Sequence, residues 1–265
     1  MRSLPIRQAQ DAAAAAPDRL AVLGDLPVWR LTDLYPSATS PEFLGDLEKA
    51  GRDARAFEEK WKGKLAEAAT KTGAEGIGAA IAESEALDDV MGRLASFAGL
   101  TYFSDTTSPA NGKLYGDVQS KLTEFAAHLL FFPLELNRID DAVMDACMAS
   151  DPAAGHYRSW IVDLRQDKPY QLDDKIEQLF LEKSMTSAAA FNRLFDETMA
   201  ELRFDIDGEK VPLEVALNML QEQDPMLRQK AAIALAETFK ANIRTFALIT
   251  NTLAKDKEIS DRWRG

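Results

Sequence analysis

Apolar residues recur along most of the chain at spacings of three and four, the repeat that puts side chains on one face of an α-helix. Phe43, Leu44, Leu47, Ala50, Ala54, Phe57 and Trp61 form the first stripe. Leu114, Val118, Leu122, Phe125 and Leu129 form a second. Trp160, Ile161 and Leu164 follow near Tyr157, and then Leu172, Ile176, Leu179 and Phe180. Leu235, Phe239, Ile243, Phe246 and Leu253 mark a last stripe and predict one helix over 225–255. Ile233, Ala241 and Leu248 lie on another side of that helix. A helix apolar on more than one side is usually covered on more than one side, so the isolated chain is expected to self-associate there, the alternative being a chain that closes its own core and stays monomeric.

The punctuation between stripes is helical. Ser40-Pro41, Ser108-Pro109, Asp151-Pro152 and Asp224-Pro225 each set a capping oxygen before a proline. The oxygen accepts from an orphan N–H, and proline in the first turn has the helical φ and no N–H to waste. One stretch breaks the pattern. Arg203-Phe204-Asp205-Ile206 alternates polar and apolar, Asp207-Gly208 follows, and Glu209-Lys210-Val211-Pro212 comes next. Asp-Gly between short alternating runs predicts a hairpin, and Pro212 stops its second strand early. Residues 73–78 and 105–112 read as helix connections. The fold class is therefore all-α: a multi-helix array with one small β-hairpin near residues 203–212. No signature recurs at a fixed period.

Composition refines this picture. The chain has 265 residues, 46% of them hydrophobic, and can bury a large core. Residues 1–25 are Ala-rich without clear periodicity and read as a loose N-terminal leader. A shift near 151–155, from Ala- and Gly-rich to more charged helices, separates an N-terminal helical domain over 26–150 from a second helical segment over 151–265. A net charge of −12 argues against nucleic acid and against an anionic membrane surface as partners. No run approaches the ~20 apolar residues of a membrane span. A single cysteine forms no internal disulfide, which fits a cytoplasmic protein.

Candidate chemistry is sparse. The stretch Gly73-Ala74-Glu75-Gly76-Ile77-Gly78 follows no strand and lacks dinucleotide-loop spacing, so it reads as a connection. Glu124 and His128 stand four apart with no second pair, short of the set a di-metal bundle needs. Glu83, Glu85, Asp88 and Asp89 read as a solvated acidic face. His156 and Ser159 lie three apart on a helix with no third member. His128, set among Phe125, Ala126, Ala127, Leu129 and Leu130, reads as a partly buried packing residue. Cys147, beside Met144 and Met148, reads as a small core residue. No residue of this chain is assigned a catalytic, cofactor-binding or metal-binding role.

Several stretches together resemble the N-terminal portion of oligoendopeptidase F, a thimet-oligopeptidase-like zinc metallopeptidase. The first is Pro27-Val28-Trp29-Arg30-Leu31-Thr32-Asp33-Leu34-Tyr35-Pro36, followed by Ser40-Pro41-Glu42-Phe43. The second is His156-Tyr157-Arg158-Ser159-Trp160, with Tyr170-Gln171-Leu172 and Ile176-Glu177-Gln178-Leu179. The third is Phe191-Asn192-Arg193-Leu194-Phe195-Asp196-Glu197, running into Phe204-Asp205-Ile206. The last runs from Lys255 to Trp263. The resemblance covers the chain from about Trp29 onward.

The resemblance implies an almost wholly helical hydrolase in which two halves enclose a channel for short peptides. It implies zinc held by the histidines of H-E-x-x-H and a later glutamate in the full-length parent, with the motif's glutamate as general base. That motif is not in this chain, which is expected to bind no zinc itself. The expected function is the non-catalytic N-terminal part of a zinc oligoendopeptidase, forming part of the channel wall. Its expected partners are short peptides and a catalytic half absent from this chain. The alternatives are a stand-alone helical scaffold or interaction domain without catalysis and, less closely, an unrelated helical metalloenzyme.

Overall fold

The computed structural model describes residues 29–265; the leader at 1–25 and the matching Pro27 and Val28 lie outside them. Helices dominate: α1 (Pro41–Trp61), α2 (Leu65–Ala68), α3 (Ile77–Ser104), α4 (Pro109–Leu129), α5 (Phe131–Arg138), α6 (Asp141–Ser150), α7 (Pro152–His156) and α8 (Arg158–Leu164) come first. Then follow α9 (Asp174–Ser184), α10 (Ala188–Glu201), strands β1 (Phe204–Ile206) and β2 (Glu209–Val211), and α11 (Leu213–Met219), α12 (Pro225–Ala241) and α13 (Ile243–Arg264). The expected class, all-α with one hairpin, is what forms.

All four Ser/Asp-Pro junctions cap helices. Ser40 accepts from Phe43 N–H, Ser108 from Asn111, Asp151 from Ala153 and Asp224 from Met226, each with proline in the first turn. Asp207 and Gly208 both take positive φ, 56° and 85°, and turn β1 into β2 with Phe204 opposite Val211 and Ile206 opposite Glu209. Two positive φ values in a two-residue loop match the strands' twist, the reason Asp-Gly suits this position.

The chain divides into two compact units. One comprises Leu31–Glu197 with Phe246–Gly265; the other comprises Thr198–Thr245 and, among the described residues, 29–30. In the larger unit α1, α3 and α4 pack on one another around Tyr35, Phe43, Leu94, Phe97, Val118 and Phe125. A second cluster gathers Phe57, Trp61, Ile77, Phe132, Leu136 and Ile161 with side chains of α6. Tyr35, in the first family-like stretch, is fixed on both sides: its hydroxyl donates to Asp46 at 2.9 Å and receives Arg93 Nε at 3.0 Å. In the smaller unit β1 packs on α12, with Phe204 edge-on to Phe239 at 5.5 Å.

One glycine sets the spacing of a helix pair. A Cβ at Gly78 would stand 2.4 Å from Ala153 Cβ and 2.5 Å from Ala154 N, so α3 and α7 meet backbone to backbone there. Gly78 is thus inside α3; the connection read at 73–78 ends at Gly76, the residue before that helix. Likewise the connection read at 105–112 stops at Ser108, and Gly112 is buried within α4.

The predicted helix over 225–255 is two helices. Asn242 leaves helical geometry at φ −102°, ψ 8°; its Nδ2 donates to Thr238 O at 2.9 Å and its N–H to Phe239 O. A side chain that bonds the preceding turn offers the backbone an alternative to continuing. The interruption shifts the register, so Ile243 is 57% exposed and Ile249 is the buried residue of α13. On α9 the expected stripe is also altered: Leu179 is 57% exposed, and Glu177 is the buried side chain.

Candidate functional site

The residues weighed for chemistry lie apart. His128 is half-buried, and its Nδ1 sits 2.6 Å from Glu58 Oε2, not against Glu124. Burial pushes the Glu58 carboxyl up, but hydrogen bonds from Lys62 and His128 outweigh it and the net shift is downward. Glu124 instead faces Arg55 and Lys121. His156 and Ser159 are exposed, with His156 edge-on to Tyr157 at 5.0 Å. Cys147 is buried in the second cluster, and burial aided by Asp151 pushes its thiol up. On the acidic face Glu83 accepts from Lys60 and Trp61, and Glu85 from Tyr157.

Two polar constellations are better built. The first closes the end of α13. Arg264 meets Glu177 in a fork-to-fork pair, Nη1–Oε1 and Nη2–Oε2 both at 2.7 Å. Glu177 also accepts from Leu172 N–H at 2.9 Å, and Arg264 Nη1 donates to Tyr170 O at 3.2 Å. The Arg264 hydrogen bonds, opposed by burial and helped by Leu172, hold the Glu177 carboxyl below its ordinary range. A carboxylate this buried needs such pairing, because an unpaired charge away from water is costly.

The second joins α3, α4 and α10. Arg193 on α10 lies against Gly112 and Gly116 of α4, one turn apart. Its Nη2 is 3.2 Å from where a Gly112 Cβ would stand, and its Nη1 is 3.6 Å from that of Gly116. Arg193 Nε donates to Glu197 at 2.7 Å. The Tyr102 hydroxyl faces the guanidinium from α3, wholly buried, without a hydrogen bond of normal geometry. Burial and then the Glu197 charge push that phenol up. Burial, with Glu197, also pushes up the neighbouring Asp196 carboxyl. Tyr115 stacks on Tyr102 at 4.9 Å and 5°, and Phe103 beside them is 55% exposed. Sequence reading quoted Arg193 and Glu197 only as part of a family-like stretch and passed over Tyr102. The glycine pair at 112 and 116 was the available signal.

Among the described residues no three His, Cys, Asp or Glu side chains group as a metal site would require. The zinc that the resemblance implies for a whole peptidase needs two histidines one turn apart and a carboxylate. His128 is engaged by Glu58 and His156 stands beside Tyr157, so the donors here do not fit that ion. Among the described residues no helix is long and apolar enough to cross a membrane.

Comparison with known proteins gives these features a family context. Residues 135–204 match the family model described as Oligopeptidase F, a span that holds Glu177, Arg193 and Glu197. The chain thus resembles the N-terminal portion of that peptidase family, as its sequence stretches indicated. Among solved structures it is similar to oligoendopeptidase-F from Enterococcus faecium, at 20% identity and a TM-score of 0.70, covering 84% of this chain and 44% of that one. It is also similar to a putative peptidase from Chlamydophila abortus, at 17% identity and a TM-score of 0.51, covering 89% of this chain and 40% of that one. The chain therefore spans less than half the length of either structure. A search of the curated proteins finds no match.

Proposed function

We propose that this chain is the non-catalytic helical part of a cytoplasmic zinc-dependent oligoendopeptidase and forms part of the wall around its peptide channel. The observation that carries this reading is the family match over 135–204 within a fold like oligoendopeptidase-F. The chemistry is consistent with a division of labour. A metallopeptidase needs about three protein ligands and a water on zinc, and this chain's well-paired polar groups are committed to joining helices. The wall admits short, unstructured peptides and keeps folded proteins from the metal. The catalytic residues and the zinc belong to a partner half.

Reconstitution tests this. The chain is mixed with a separately produced polypeptide that carries the H-E-x-x-H half of such a peptidase. Cleavage of a quenched short peptide is followed, alone and mixed. We expect no turnover by the chain alone, and turnover by the mixture that a chelator abolishes. Failure of the two to associate, together with full activity of the metal-bearing half by itself, would overturn the reading in favour of a stand-alone scaffold.

A further inference from the structure

Arginine has two edges that can each present a parallel pair of N–H donors. On Arg193 the Nε edge is used by Glu197. The other edge, Nη1 and Nη2, meets no carboxylate or carbonyl among the described residues and lies against the Tyr102 hydroxyl and Gly112. Beside it the Tyr102 hydroxyl is wholly buried and has no acceptor either. Buried polar hydrogens without partners are uncommon because each forfeits its hydration. Donors without a carboxylate or carbonyl partner thus converge beside Arg193, whose side chain is 42% exposed.

We propose that the Nη edge of Arg193 and the Tyr102 hydroxyl form a subsite for a carboxylate, that of the C-terminus of a short peptide. A carboxylate takes two parallel N–H bonds on one oxygen pair and leaves lone pairs for the phenol. The exposed ring of Phe103, next to stacked Tyr102 and Tyr115, offers an apolar surface for the last side chain. Of the two carboxylates nearby, Glu197 is matched by the Nε of Arg193. The glycine at 112 also fits, since a Cβ there would crowd the fork.

The ligand's identity rests on the peptide-handling function proposed above; the carboxylate site does not. The whole 265-residue chain is titrated by calorimetry with three probes. These are an N-acetylated tripeptide ending in phenylalanine, the same peptide with a C-terminal amide, and benzoate. We expect the acid to bind and the amide to bind at least about ten-fold more weakly, the effect of removing a charge-assisted partner. Arg193→Lys should lose affinity for the acid, because an ammonium cannot present the fork. Tyr102→Phe deletes a hydroxyl that makes no hydrogen bond of normal geometry in the free chain, so its melting temperature should nearly hold while its affinity falls several-fold. A merely structural role for Tyr102 predicts no change in affinity. Equal affinity for acid and amide, or wild-type affinity in both variants, overturns the subsite. Arg193-dependent binding of benzoate without binding of the peptide acid overturns the peptide as occupant while the carboxylate site stands.

Discussion

The helices before Tyr157 and those after it solve burial differently. In the first region the large apolar side chains turn inward. Among the described residues only Trp29, Leu44, Phe103 and Val143 of that kind are exposed there. In the second region Trp160, Val162, Leu179, Ile233, Leu248 and Trp263 are among those at the surface. Helix α1 buries Phe43, Phe57 and Trp61, whereas the buried residue of α9 is a glutamate. The first region holds its large side chains in two packed clusters, with pairs such as Tyr35–Asp46 and His128–Glu58 at their edges. The second buries a paired carboxylate, Glu177, and leaves apolar surface that a further protein surface could cover.

The largest test of that contrast is truncation on the two sides. Phe57→Ala removes a ring lying 5.1 Å from Phe132 and 5.8 Å from Phe131 and should cost about 3–5 kcal/mol. Leu248→Ala, at a position 56% exposed, should stay within about 0.5 kcal/mol. Urea denaturation measures both, and similar losses would erase the distinction.

Gly78→Ala comes next. In an open helix this change gains up to about 1 kcal/mol, but here the added carbon would meet Ala153 and Ala154 backbone. A net loss of about 1–3 kcal/mol is expected, the usual cost of overpacking. A neutral or stabilising result would show that α3 and α7 can separate freely.

The Glu177–Arg264 pair should make the second region acid-sensitive. The folded carboxyl titrates below its ordinary 4.5. Its contribution is therefore complete above that value and is lost as pH falls through the lower, folded one. Glu177→Gln should lower stability at neutral pH and flatten the decline between about pH 5 and 3. Thermal melts of both proteins across that range decide it; parallel curves would remove Glu177 as a source of the slope.

The smallest effect concerns two exposed apolar side chains, one on α12 and one on α13. If Ile233 and Leu248 drive self-association, replacing both by serine should leave the melting temperature nearly unchanged. It should also return the chain to a monomer in sedimentation at high concentration and reduce binding of an apolar dye. A wild-type chain already monomeric at high concentration would end that idea.

Much of this architecture was legible in the sequence. Caps and turns are local, and a serine before a proline or an aspartate before a glycine carries its own backbone preference wherever it occurs. The first two stripes could be read because packing there follows the 3.6-residue repeat. Three features could not be read. Asn242 interrupts a stripe whose apolar spacing looks continuous, because the competing hydrogen bond to Thr238 is invisible to a hydropathy pattern. Glu177 carries no sign of burial in its own helix, because its partner Arg264 lies 87 residues away in the chain. The Arg193 site needs three helices, so no spacing along one of them announces it.

The separation within the Glu177–Arg264 pair also bears on how the protein is made. The partners are 87 residues apart in the chain. At a ribosomal pace of 5–20 residues per second, roughly 4–17 s pass between their syntheses. Throughout that interval the helices of the first region can already be packed while α9 has a carboxylate and no cation. The surface of the nascent chain around Tyr170 and Phe180 is then unfinished, and it is the part on which a ribosome-associated chaperone would have time to act.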